Sequence, residues 1–251
     1  MELELLNIEA LNKNFGGVKA LSNVNCKIHS GELVGLLGPN GSGKTTLFNV
    51  ITGFIHADDG AIMFRNLNLL NLHPHQVSSI GIARTFQTVR LVYRLTVIEN
   101  ILLSFKHQTG EKLQNLFFSW KATVSRETKN RQIAIALLED ASLIDKQNDL
   151  AEDLSYGQQK ILSIICCLAT DADLLLLDEP FAGMSPAAIE QILPLIRSLS
   201  HQGKSVLLIE HNLDLVVDLC DRIIFMDAGE IVCEGTPENV YNDPRVIAAY
   251  L

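Results

Sequence analysis

The chain has 251 residues, 47% of them hydrophobic and 20% charged, a size that allows one large core or two small lobes and a composition outside the collagen-like and disordered classes. Its formal net charge is −9, which argues against a broad basic surface for nucleic acid. A single anion pocket stays open, because it needs only backbone N–H groups and one lysine.

The first residues, Met1-Glu2-Leu3-Glu4-Leu5, are acidic and alternating, so no secretory signal is expected there. Residues 3–15 alternate in part and predict an edge strand. Residues 33–37 predict a short buried strand that runs into a glycine-rich turn, and 45–52 predict a helix. Strand, glycine loop and helix in that order open an α/β nucleotide-binding unit. Residues 60–64 predict a further strand. From 87 to 167 helical periodicity dominates, as at Ile133, Ala136 and Leu137, with polar residues interrupting it between 106 and 129. This stretch is expected to be a helical lobe with a loose segment inside.

Residues 174–177 and 206–209 are continuous apolar runs, the pattern of strands buried on both faces of a parallel sheet. Between them, 186–199 predict an amphipathic helix, and 223–226 followed by Asp227-Ala228-Gly229 predict a hairpin strand and turn. The expected fold is α/β: a P-loop NTPase core with a mostly parallel sheet, an N-terminal antiparallel β part and an inserted helical subdomain. Residues 1–86 and 168–251 form the expected core of a single domain, and 87–167 the helical subdomain. No apolar run approaches the roughly 18–20 residues needed to span a bilayer. The five cysteines lack metal-ligand spacing and are expected to be reduced core thiols, Cys166-Cys167 among them; His73-Pro74-His75 is expected to be a turn.

Three motifs carry chemistry. Gly38-Pro39-Asn40-Gly41-Ser42-Gly43-Lys44-Thr45 fits G-x-x-x-x-G-K-[ST] and is followed by Thr46. Glycines there let successive N–H groups turn inward around phosphate oxygens, Lys44 reaches the β- and γ-phosphates, and the Thr45 hydroxyl serves Mg²⁺. Leu174-Leu175-Leu176-Leu177-Asp178-Glu179-Pro180 is a buried strand ending in two carboxylates. Asp178 is placed to hold Mg²⁺ through water and Glu179 to polarise an attacking water. In Leu154-Ser155-Tyr156-Gly157-Gln158-Gln159-Lys160, Ser155 and Gln158 have capping-box spacing, which makes a second helix start that favours anions.

With these three motifs in order, the chain resembles the ABC ATPase family along essentially its whole length. Leu154 to Lys160 is similar to that family's signature sequence, whose Ser155, Gly157 and Gln158 positions cap the ATP held by a second ATPase packed head to tail. The resemblance implies further roles. Phe15 would stack on adenine; Gln87 would join the two lobes and touch Mg²⁺ and the attacking water; His211 would contact the γ-phosphate. ATP and Mg²⁺ are the implied cofactors. Tyr156 stands where the family usually has a glycine, and Ser185 where an aspartate helps two active sites communicate.

The wording around the motifs narrows the resemblance. Gly81-Ile82-Ala83-Arg84-Thr85-Phe86-Gln87, Leu95-Thr96-Val97-Ile98-Glu99-Asn100 and Asn242-Asp243-Pro244-Arg245 are similar to ATPase subunits of branched-chain amino acid uptake systems. That implies two transmembrane permeases, a second ATPase chain as homo- or heterodimer, an external solute-binding protein, and a peripheral location on the cytoplasmic face of the inner membrane. Urea import, lipid export, and non-transport ABC ATPases of DNA repair or translation are the competing readings. The acidic charge and the single set of motifs disfavour the last, and no nucleic acid partner is expected.

Overall fold

Strand-forming apolar runs lie at the centre of the larger of two sheets. The computed structural model describes residues 3–106 and 120–250. The chain divides into two compact units, one of Met1–Gln87, Ala172–Ala182 and Ile196–Leu251, the other of Thr88–Asp171 and Gly183–Leu195. The segment Gly183–Leu195 thus goes with the helical unit, whereas the sequence places all of 168–251 in the core.

The first unit holds two sheets. Strands β1 (Glu4–Phe15), β2 (Val18–His29), β4 (Asp59–Phe64) and β5 (Leu67–Asn68) form an antiparallel sheet in the order β2-β1-β4-β5. β1 is therefore flanked on both sides and is not the edge strand its alternation suggests. A central strand of an antiparallel sheet with one wet face alternates just as an edge strand does. Strands β3 (Leu33–Leu37), β6 (Ile82–Arg84), β7 (Leu174–Asp178), β8 (Ser205–Ile209), β9 (Arg222–Asp227) and β10 (Glu230–Gly235) form the second sheet in the order β10-β9-β3-β8-β7-β6. All its pairs are parallel except the β9–β10 hairpin.

Every residue of β3, β7 and β8 is buried, as their unbroken apolar runs require. Helix α1 (Lys44–Ile51) adds Leu47, Phe48, Val50 and Ile51 to a core shared with the antiparallel sheet and one face of the parallel one. Because β3, β8 and β7 are parallel neighbours, their C-terminal ends lie at one edge, the place where open α/β sheets bind ligands. Those three ends release residues 38–43, Glu210-His211 and Asp178-Glu179. His73-Pro74-His75, expected to be a turn, instead opens a short helix: His73 is the N-cap, and Pro74 and His75 are the first residues of α2 (Pro74–Ser79), because proline suits the first helical position.

The helical unit contains α3 (Val97–Ser104), α4 (Trp120–Asp140), α5 (Tyr156–Ala169) and the first part of α6 (Pro186–His201). α3 packs on α5 and α4. The loose segment expected within 106–129 falls largely outside the described residues. On α4 the buried positions are Ala134 and Leu138, continued by Ala141, while Ile133 is exposed. The buried face is thus one residue away from the Ile133 face expected from periodicity; two alanines on it allow close approach of the neighbouring helices. Three further helices are α7 (Leu213–Leu219), after β8, and α8 (Pro237–Tyr241) and α9 (Pro244–Tyr250), after β10.

Candidate active site

The glycine-rich loop takes its shape from close backbone approaches. Gly38 has φ +148° and a Cβ there would lie 2.0 Å from the Met226 carbonyl oxygen; Gly43 has φ +104° and a Cβ would lie 2.5 Å from the Ala20 carbonyl oxygen. No side chain other than hydrogen fits at either position. Gly43 is also the N-cap of α1, which has no side-chain cap and no acid in its first turn. The first N–H groups of that helix are therefore left to an anion.

Lys44 is buried at 6% exposure, and burial pushes its ammonium below the usual lysine range while Glu179 and Asp178 oppose the shift. Its Nζ donates to the carbonyls of Gly38 (2.7 Å) and Pro39 (2.9 Å). Beside it lies a cavity of about 210 Å³ lined by Asn40, Gly41, Gly43, Lys44, Thr45, Thr46, Glu179 and His211, together with Val18, Lys19 and Ala20 of β2. Ser42 is buried behind the loop. The wall from β2 went unnoticed in the sequence; its one signal is that β2 begins directly after the Phe15-Gly16-Gly17 turn. Phe15 itself is half exposed beside Lys13, whose Nζ lies 5.4 Å from the ring centroid, and it does not line the cavity.

Glu179 lines the cavity with both carboxylate oxygens engaged. His211 Nε2 lies 2.8 Å from Oε1, and Gln87 Nε2 donates to Oε2 at 2.9 Å. Its backbone is in the left-handed region at φ +48°, a conformation that costs a non-glycine residue about 1–3 kcal/mol and persists only where its surroundings hold it. Here the Glu179 N–H donates to the Ile209 carbonyl (3.0 Å) and the Ala182 N–H to the Glu179 carbonyl (3.3 Å).

Asp178 is buried one residue earlier. Arg84 Nη2 donates to its Oδ2 at 2.7 Å, and the Asp178 N–H donates to Thr85 Oγ1 at 3.1 Å. Arg84 also donates to Asn49 Oδ1 (2.7 Å) and lies over the rings of Phe48 and Phe86 at 5.4 and 5.2 Å. An arginine this deep was not anticipated. Its sequence signal is a lone cation closing the apolar pair Ile82-Ala83.

Glu210, also unanticipated, is 5% exposed, and burial pushes its carboxyl above the usual range against two backbone N–H donors that favour the charged form. The phosphate-loop residues, Gln87, Asp178, Glu179 and His211 all belong to the first unit.

Ser155, Gly157 and Gln158 belong to the helical unit, at the head of α5. Ser155 Oγ accepts from the Gln158 N–H (3.3 Å), and Gln158 Oε1 accepts from the Ser155 N–H (3.0 Å). This is the reciprocal capping box that the spacing predicts. Tyr156 is half exposed, and a Cβ at Gly183 would lie 2.9 Å from its ring. Among the described residues no group of histidines, cysteines and carboxylates could hold a metal ion by itself. The thiols of Cys26, Cys166, Cys167 and Cys220 are all pushed up to about 12 by burial, so they are inert packing groups.

The family model for ABC transporters matches residues 21–182. The high-affinity branched-chain amino acid transport ATP-binding protein LivG of Escherichia coli K12 is 38% identical over 252 aligned residues, covering all of this chain and 99% of that one. The crystal structure of the ADP conformation of MJ1267, an ATP-binding cassette of an ABC transporter, superposes with a TM-score of 0.83 at 36% identity, covering 99% of this chain and 98% of that one. A dimeric post-hydrolysis structure of the cassette MJ0796 bound to ADP and Pi superposes with a TM-score of 0.76 at 26% identity, over 93% and 99% of the two chains.

Proposed function

The chain belongs to the ABC transporter family as one of its ATP-binding, ATP-hydrolysing subunits, and we propose that it powers the uptake of branched-chain or other hydrophobic amino acids. The name of the full-length Escherichia coli relative supports that substrate class.

The observation that carries the catalytic reading is the clamped carboxylate of Glu179, held by His211 and Gln87 in the lining of the cavity beside Lys44. ATP enters with its phosphates on the N–H groups of residues 38–46 and the head of α1. Lys44 exchanges its two loop carbonyls for phosphate oxygens, and Phe15 offers its ring to the adenine. Glu179 orients a water in line with the γ-phosphorus; as the water oxygen bonds to phosphorus, the bond to the ADP oxygen breaks and the water proton passes towards the carboxylate. His211 and Gln87 keep that carboxylate aimed, and Lys44 with the loop amides stabilises the developing charge.

The oxygen donors of Thr45 and Asp178, with Gln87 nearby on Glu179, suit Mg²⁺, a hard cation bound through few protein oxygens and several waters. When bound it neutralises charge on the β- and γ-phosphates.

Further features of the reading concern assembly. A second ATPase chain, identical or different, packs head to tail so that Ser155, Gly157 and Gln158 meet its nucleotide. The helical unit, which begins directly after Gln87, transmits phosphate loss at that residue to the transporter. Two transmembrane permeases anchor the pair on the cytoplasmic face of the inner membrane, and an external binding protein delivers the solute. Among the described residues no helix is long and apolar enough to cross a membrane.

Uptake of labelled leucine in the native host tests the reading, with the intact chain and with Glu179→Gln. Leucine uptake collapses in the variant while an unrelated uptake system continues. Unchanged leucine uptake removes the amino acid assignment and makes urea the next solute to test.

A further inference from the structure

One buried carboxylate has no role in the steps above. Glu210 follows the last residue of β8 and is almost wholly buried. Its Oε1 accepts from the Phe181 N–H at 3.0 Å, and its Oε2 accepts from the His211 N–H at 3.2 Å. A single side chain therefore ties the main chain two residues after Glu179 to the main chain of His211. We propose that Glu210 is a positioning residue for hydrolysis, fixing Glu179 and His211 relative to each other through the Phe181 and His211 backbone amides. The inference rests on the reading of Glu179 as the group that orients water.

Three observations support it. Glu179 sits in the left-handed region, so its turn needs external restraint, and the end of β8 supplies that restraint from both sides: Ile209 through its carbonyl and Glu210 through its carboxylate. The hydrogen bonds to the Glu210 carboxylate both come from main-chain N–H groups, so what it holds is backbone on either side of the site. Two donors converge on it at once, and only a carboxylate offers two acceptor oxygens in that shape. A glutamine offers one acceptor and an NH₂ that cannot accept.

The test compares Glu210→Gln and the shorter Glu210→Asp with wild type and with Glu179→Gln, on purified chains whose folding is checked by thermal melting. The expected result is a split. In either folded variant kcat falls about 10²-fold, the scale of a small misplacement of reacting groups, while affinity for a fluorescent ATP analogue stays at the wild-type value. The double variant Glu179→Gln/Glu210→Gln turns over no more slowly than Glu179→Gln alone, because Glu210 acts through Glu179. A folded Glu210 variant with wild-type kcat overturns the proposal, as do ATP affinity that falls in step with kcat and single losses that multiply in the double variant. Should Glu179→Gln itself hydrolyse ATP normally, the reading of Glu179 fails and the inference fails with it. An inactive Glu179→Gln beside a fully active Glu210→Gln removes only the role of Glu210.

Discussion

Asp178 and Arg84 are buried together, with side chains 4% and 6% exposed. A charge in that position is tolerated only with its partner, and removing one member of a buried pair costs about 3–5 kcal/mol. Arg84→Met, which keeps most of the stem packed on Phe48 and Phe86, is therefore expected to lower stability by about that amount, measured by denaturant unfolding. A loss under about 1 kcal/mol would mean that water reaches Asp178 and the pair is in effect a surface one. At this scale the sequence was legible where a residue belongs to a local pattern. Lys44 and Thr45 follow from one loop, and Asp178 and Glu179 from one strand end. Arg84 and Glu210 were missed because their partners are brought to them by strand pairing: Arg84 meets Asp178 across the β6–β7 pair, 94 residues away, and Glu210 meets Phe181 across 29. Each partnership depends on sheet order, which residue spacing does not reveal.

Among the elements, the strands that position the active site were read from their uninterrupted apolar runs, and α5 from its capping box. β1 and α4 show the limits of pattern reading. Alternation in β1 reports one wet face and is silent on whether one or two strands flank it. The apolar residues of α4 are shared by two adjacent faces, and it is the one carrying Ala134 and Leu138, not Ile133, that is buried. β2 left too weak a signal to be placed, although its first residues line the cavity beside Lys44. The α5 cap has a measurable worth of its own: Ser155→Ala removes the acceptor for the Gln158 N–H and is expected to cost about 1 kcal/mol in unfolding free energy. No change in stability would show that Gln158 and solvent satisfy the helix start without it.

For the whole molecule, β3, β8 and β7 bring three sequence-distant segments to one edge of a single sheet. The phosphate loop, the Glu179 turn and His211 meet there because the strands that carry them are parallel neighbours, and the helical unit carries the second anion-favouring helix start. The division of the chain follows neither motif boundaries nor helix boundaries: α6 passes from the helical unit into the core at Leu195, next to Pro194, a residue that removes one helical hydrogen bond. Sequence periodicity sees one amphipathic helix there and cannot divide it. The role proposed for Glu179, clamped by His211 and Gln87, is to orient the water that hydrolyses ATP. Steady-state ATP hydrolysis and ATP binding by the purified chain, compared between wild type and Glu179→Gln, test it most directly. Binding unchanged with turnover lower by about 10²–10⁴ is the predicted result; near-normal turnover in the variant would contradict it.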